Sequence, residues 1–216
     1  MLKGVIFDLD GVITDTAEYH YQAWAHLANE IGIKIDKKFN ENLKGISRME
    51  SLELILKHGN KADAYTKEEK IALADKKNNH YKELIKKMTK KDILPGIENL
   101  LQELKNNNIK IALASASRNG PMILKSLEIE DFFDYVVNPV HIKNGKPAPD
   151  IFLDALKGIN LKAYEVIGIE DAIAGVEAIK RAGIIAIGVG VKADVRVNST
   201  EELNYDFLVK VAESYT

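Results

Sequence analysis

Short apolar runs closed by turn or polar residues recur along the chain, and each reads as a β-strand. The first spans 2–9 and is almost continuously apolar, as a strand covered on both faces of a parallel sheet would be. Further runs at 109–115, 135–137, 165–168 and 184–188 bring the expected strands to five. Between them the apolar positions take helical spacing, which predicts helices over 96–106, 120–127, 150–157 and 172–182. Pro149 suits the first turn of the third helix, and Gly183 stops the fourth. From Leu94 onward helix and strand alternate, which predicts an α/β domain with a doubly wound parallel sheet and right-handed crossovers.

Residues 15–91 break that rhythm. They offer helical stretches at 16–31, 49–58 and 66–88 and no strand pattern, so they read as an all-helical insertion after the first strand. The expected organisation is a core domain of 1–14 and 93–216 and a helical domain of 15–92. Lysines cluster in the insertion, where a charge run reads as a solvated helix face. The pentapeptide Lys-Ile-Ala-Leu-Ala occurs at 70–74 and again at 110–114. Acidic and basic neighbours at helical spacing make the first copy a helix. An Asn-rich turn before the second, and a Ser/Asn/Gly loop after it, make that copy a strand.

Composition narrows the class. Thirty Lys+Arg against 32 Asp+Glu give a net charge of −2 in 216 residues, so no overall field draws the chain to nucleic acid or to an anionic membrane. A hydrophobic share of 46% with 29% charged residues is a globular balance. There is no cysteine, which excludes disulfides, Cys-ligated metals and thiol catalysis. Acids arrive before a signal-peptide stretch could finish, and no run approaches the roughly 18 apolar residues of a membrane span. A cytoplasmic, monomeric enzyme or signalling domain is the expectation.

The candidate chemistry lies at strand ends. Asp8-Leu9-Asp10-Gly11 closes the first strand, and in open α/β sheets ligands bind beyond the carboxyl ends of the strands. Alternation in an extended segment puts Asp8 and Asp10 on one side, and Gly11 allows a sharp turn beside them. Asp-Gly alone could be a turn signal, but that does not explain Asp8 within an apolar run, where an unpaired charge is costly. Glu170-Asp171 sits at another strand end, with helix capping as the plain alternative for Asp171. Four carboxylates in one crevice repel unless a cation joins them, and all-oxygen ligands suit Mg²⁺. Ser115-Ala116-Ser117-Arg118-Asn119-Gly120 leads from a strand into a helix and offers hydroxyls and N–H groups to a phosphate. Lys146 precedes Pro147-Ala148-Pro149, which stiffen its loop.

Asp8-Leu-Asp10-Gly-Val, Ser115, Lys146 and Gly168-Ile-Glu170-Asp171 stand in the order of the four motifs of the haloacid dehalogenase-like hydrolases, which the whole chain resembles. That resemblance implies a Rossmann-like core with a helical C1-type cap. With His20, Lys44-Gly45-Ile-Ser-Arg48, Ser51 and Lys146-Pro-Ala-Pro-Asp150, the chain is similar to the β-phosphoglucomutase family. The family interconverts β-D-glucose 1-phosphate and glucose 6-phosphate, primed by β-D-glucose 1,6-bisphosphate. The resemblance makes Asp8 the nucleophile and Asp10 the general acid and base. It gives Mg²⁺ to Asp8, the Asp10 carbonyl, Glu170 and Asp171, and the transferring phosphoryl group to Ser115 and Lys146. Arg48, Ser117, Arg118 and Asn119 take the distal phosphate. His20, Trp24, Lys44, Gly45, Ser51, Ala116 and Lys77 complete the substrate surroundings, with Lys76 the neighbouring alternative to Lys77. Arg118 stands where the family often has Lys.

Two other readings compete. A sugar-phosphate phosphatase shares the nucleophile and fold but passes the phosphoryl group to water. A receiver-like phosphoacceptor also gathers acids and a Lys at strand ends, but it needs only about 120 residues and no helical insertion. Trp24, Leu27 and Ile31 form an apolar helix stripe, so Trp24 suits packing and sugar contact equally.

Overall fold

The computed structural model describes residues 1–43 and 47–215. Six strands pair in parallel in the order β3-β2-β1-β4-β5-β6: β1 (Gly4–Phe7), β2 (Lys110–Leu113), β3 (Tyr135–Val136), β4 (Val166–Glu170), β5 (Ile185–Val189) and β6 (Val195–Val197). Every residue of β1 is buried, so the central strand is covered on both faces, as its unbroken apolarity requires. The sixth strand was not expected. It holds three residues with the exposed Arg196 at its centre and pairs only with β5, so it is too short for a hydrophobic period to register.

The described helices are α1 (Ala17–Glu30), α2 (Lys37–Asn40), α3 (Arg48–His58), α4 (Lys67–Ile85), α5 (Ile97–Asn106), α6 (Gly120–Ser126), α7 (Asp150–Ile159), α8 (Ile173–Arg181) and α9 (Tyr205–Ser214). The single turn α2 and the C-terminal α9 were missed. Both start at side-chain caps, Asp36 accepting from Phe39 N and Asn204 from Phe207 N. Capping boxes at Ser47/Glu50 and Thr66/Glu69 fix the starts of α3 and α4. The repeated pentapeptide adopts both structures: 70–74 lies inside α4, whereas Lys110–Leu113 is β2. Context overrides propensity here, because the second copy is paired with β1 and buried from Ile111 onward.

The chain divides into two compact units, Met1–Asp15 with Met88–Thr216, and Thr16–Lys87. In the first, Ile6 belongs to an apolar cluster with Ala112 and Ala114 of the sheet side and Phe152, Ala155 and Ile179 of α7 and α8. Its chain is pinned on either side of the insertion. Thr14 Oγ1 donates to Asp92 O at 2.6 Å, and Leu94 N donates to Ile13 O at 2.9 Å. The second unit is helical, and its core joins Trp24, Leu27, Leu52, Ile55 and Leu56. Among the described residues no helix is long and apolar enough to cross a membrane.

Strand order decides where chemistry can sit. From β1 the chain first builds outward through β2 and β3, then returns to place β4 on the other side of β1. The connections therefore diverge at the carboxyl ends of β1 and β4, leaving a crevice between them. Phe7 is in register with both Leu113 and Ile169, so the next residue along, Asp8, emerges beside Ala114 and Glu170.

Candidate active site

Backbone pairing holds Asp8 at that crevice. Its N–H donates to Ile169 O at 3.0 Å, and Phe7 O accepts from Ala114 N at 2.8 Å. The chain then turns tightly, with Ile13 N donating to Leu9 O and Gly11 N to Thr14 O. Gly11 has φ +76°, and a Cβ there would lie 1.9 Å from Asp171 Oδ2. It is glycine for the turn and for the room it leaves a carboxylate. Asp171 is not a helix cap: the cap of α8 is Ala172, with no side-chain hydrogen bond.

Lys146 joins the acids. Its Nζ donates to Asp8 Oδ1 at 2.6 Å and to Glu170 Oε1 at 2.7 Å, while Glu170 Oε2 accepts from Ala172 N at 2.9 Å. Asp8 and Glu170 are buried. Ligand atoms of Asp8, Glu170 and Asp171 all lie within 4.8 Å of one another. The expected set of four carboxylates is thus three in mutual reach. The Asp10 carboxylate is outside that tight group, yet its charge still acts on both Asp8 and Asp171.

The charge balance is unfavourable without a cation. Burial pushes the Asp8 carboxyl up to about 7 against the pull of Lys146, with Glu170 and Asp10 adding to the rise. Burial likewise raises Asp171 to about 6, helped by Glu170 and Asp10. Burial opposes the Lys146 charge, yet Asp8 and Glu170 outweigh it and hold the ammonium above its ordinary value. An isolated aspartate, with a pKa of about 3.9, would be fully ionised at neutral pH; burial and the neighbouring acids work against that ionisation at Asp8. One ammonium against three carboxylates leaves a deficit of two positive charges, and hard oxygen donors around that deficit fit Mg²⁺.

The other core-unit candidates gather in one loop. Ser115 is buried after β2, and its Oγ accepts from Ser117 N at 3.1 Å; Ser117 Oγ accepts from Asn119 N at 3.2 Å. These bonds fold the Ser115–Asn119 segment back on itself ahead of α6. Asn119 is buried, whereas Ala116 and Arg118 are exposed.

In the helical unit, Lys77 turns inward and is 4% exposed. Its Nζ lies 2.9 Å from His20 Nδ1 and 4.7 Å from the ring centroids of both Trp24 and Tyr81. His20 stacks on Tyr81 at 4.1 Å. Lys76 instead faces out and pairs with Glu30 at 2.9 Å, which separates the two neighbouring lysines. Burial lowers Lys77 to about 7 and His20 to about 3, and the Arg48 charge adds to both shifts. Arg48 opens α3 with its Nη1 3.4 Å from Asp75 Oδ1, and Ser51 is buried one turn on. Trp24 is buried in the unit's apolar cluster. Lys44 and Gly45 lie outside the described residues.

Two residues escaped the sequence reading. Tyr81 forms the aromatic floor under His20 and Lys77, and only its helical position hinted at burial. Gly175 sits inside α8, where a Cβ would fall 2.0 Å from the Glu170 carboxylate. An interior helix glycine is its own signal, since alanine there is ordinarily better by about 1 kcal/mol.

A family model described as haloacid dehalogenase-like hydrolase matches residues 2–183. The chain is 51% identical over 219 residues to a β-phosphoglucomutase of Bacillus subtilis, covering 99% of this chain and 97% of the relative. It is 32% identical to a phosphorylated carbohydrates phosphatase of Thermotoga maritima, covering 85% and 82%. The crystal structure of a Clostridium difficile β-phosphoglucomutase superposes with a TM-score of 0.91 at 51% identity, covering 100% of this chain and 99% of the other.

Two variants test the site. Gly175→Ala should displace the Glu170 carboxylate and weaken Mg²⁺ binding, measured by calorimetry, by about tenfold or more. Unchanged affinity with a more stable helix would remove Gly175 from the site. For Lys77 the folded pKa lies below the unfolded one, so the unfolded chain binds more protons between about 7 and 10.5 and stability rises with pH in that window. Lys77→Met should therefore be more stable than the parent at pH 7, on the order of 1–3 kcal/mol, since the aromatic faces and imidazole offset part of the burial cost. That gain should shrink toward pH 10 in urea titrations; a gain independent of pH would contradict the buried-charge account.

Proposed function

We infer, because the chain belongs to the haloacid dehalogenase-like hydrolases and within them to the β-phosphoglucomutases, that it moves a phosphoryl group on glucose. It interconverts β-D-glucose 1-phosphate and D-glucose 6-phosphate through a phosphoaspartyl enzyme and β-D-glucose 1,6-bisphosphate. The observation that carries phosphoryl transfer is the buried Asp8 carboxylate bridged by Lys146 to Glu170 at the strand crossover. What supports a mutase over a phosphatase is the 51% identity to the Bacillus mutase, against 32% to the Thermotoga phosphatase.

Asp8, Glu170, Asp171 and the main-chain carbonyl of Asp10 would hold Mg²⁺, which when bound offsets negative charge on the phosphoryl oxygens. Asp8 first carries the phosphoryl group, primed from the bisphosphate. The sugar 6-hydroxyl bonds to phosphorus as the aspartyl–phosphorus bond breaks, and Asp10 takes the hydroxyl proton. The resulting 1,6-bisphosphate rebinds in the reverse sense. Asp8 attacks its 1-phosphoryl group, the bond to the anomeric oxygen breaks, and Asp10 returns the proton to that oxygen. Lys146 and Ser115 hold the transferring oxygens throughout, so the in-line geometry survives both half-reactions.

A mutase needs a seat for its second phosphate. We assign it to Arg48, whose guanidinium can bind phosphate bidentately, with Ser117, Arg118 and Asn119. His20, Trp24, Lys44, Gly45, Ser51, Ala116 and Lys77 are assigned to the rest of the substrate.

The test offers β-glucose 1-phosphate, Mg²⁺ and a trace of the bisphosphate. Glucose 6-phosphate should be the main product; free glucose and inorganic phosphate would make the chain a phosphatase. Asp10→Asn should lose most turnover with its thermal midpoint unchanged. Arg48→Ala should lose mutase activity far more than hydrolysis of a small phosphate monoester, and parallel losses would refute that assignment.

A further inference from the structure

Lys146 has a partner that the carboxylates do not account for. Its Nζ lies over the ring of Phe152, 5.2 Å from the centroid. Phe152 is fully buried in the first turn of α7, within the apolar cluster that includes Ile6 of β1 and Ala112 and Ala114. The ring is thus fixed by the sheet that also positions Asp8. An ammonium within about 6 Å of an aromatic centroid is attracted to the face, and the attraction grows when the site is desolvated. The Lys146 side chain is only 14% exposed, so this contact works in poor solvent.

We propose that Phe152 is a positioning residue for phosphoryl transfer, its ring face seating the Lys146 ammonium between Asp8 and Glu170. An ammonium has three N–H donors, and the carboxylates take two of them. A third partner that attracts the charge without accepting a conventional hydrogen bond fixes the nitrogen and leaves the remaining donor for a phosphoryl oxygen. A polar side chain in the place of Phe152 would compete for it. The inference rests on the phosphoryl-transfer reading above, but the ring contact itself does not depend on the substrate.

The experiment replaces Phe152 with 4-fluoro-, 3,5-difluoro- and 3,4,5-trifluorophenylalanine, which withdraw charge from the face at nearly constant shape. Turnover should fall stepwise, by roughly five- to thirty-fold across the series, with little change in the thermal midpoint. KM should move less than kcat, since the loss is one of alignment. Independently, the Lys146 side-chain protons should show an upfield ring-current shift by NMR in the parent and lose it in Phe152→Leu. Rates that stay flat, or that track the thermal midpoint, would overturn the proposal, and so would a Lys146 signal with no ring-current shift. If the parent makes no glucose 6-phosphate, the mutase reading fails. The rate series is then run on p-nitrophenyl phosphate, and the NMR signature still decides the role of Phe152.

Discussion

The site depends on how much negative charge a buried crevice can tolerate. Ligand atoms of Asp8, Glu170 and Asp171 lie within 4.8 Å of one another, and among the described residues one ammonium, that of Lys146, pairs with two of them. Removing carboxylates from water is unfavourable, so the cluster persists because Lys146 binds two of the acids and the Ala172 N–H binds Glu170 again. The remaining charge is what a divalent cation such as Mg²⁺ would offset. Burial first, and then the neighbouring acids, push both Asp8 and Asp171 upward, so the charged forms are disfavoured in the crevice.

The fold supports that crowding through backbone rather than side chains. Asp8 follows the central strand and Glu170 ends the adjacent one, and the register between β1 and β4 makes them neighbours. Two glycines complete the arrangement by leaving space: Gly11 for Asp171 and Gly175 for Glu170. A Cβ at either place would occupy the volume of a carboxylate. Asp171 and Glu170 are therefore fitted to gaps that the two glycines leave, in addition to the Lys146 bonds that hold Asp8 and Glu170.

Much of this was legible in the residues. An aspartate within an apolar run is hard to explain as structure, and the paired acids at a second strand end gave it company. The strands of the core were found because full burial on both faces leaves an unbroken apolar run. The misses have separate causes. β6 is a three-residue edge partner of β5, too short to show a period; α2 is a single turn, and α9 starts at the Asn204 cap, a local signal that the apolar pattern alone passes over. The expectation that Asp8 and Asp10 share the crevice fits the Asp10 charge that raises both Asp8 and Asp171, although the Asp10 carboxylate is not in the tight group of three. Gly175 and Phe152 are six or fewer residues from acknowledged motif residues, yet what each touches is set by tertiary packing.

The two buried lysines show how the same side chain is put to opposite uses. Lys146 is paired with two carboxylates, which hold its ammonium above the ordinary lysine value despite burial. Lys77 is buried against Trp24, Tyr81 and the His20 imidazole, with no carboxylate paired to it among the described residues. Rings and a neutral imidazole attract an ammonium less than a carboxylate does, so its proton is loosely held near neutral pH. A lysine held in its charged form is suited to binding an anion at that place. A buried lysine without a counter-charge carries its ammonium at a cost in stability, and any anion brought beside it would favour the charged form. Both lysines are bound against aromatic faces; burial lowers both, Asp8 and Glu170 outweigh it at Lys146, and at Lys77 the Arg48 charge adds to it.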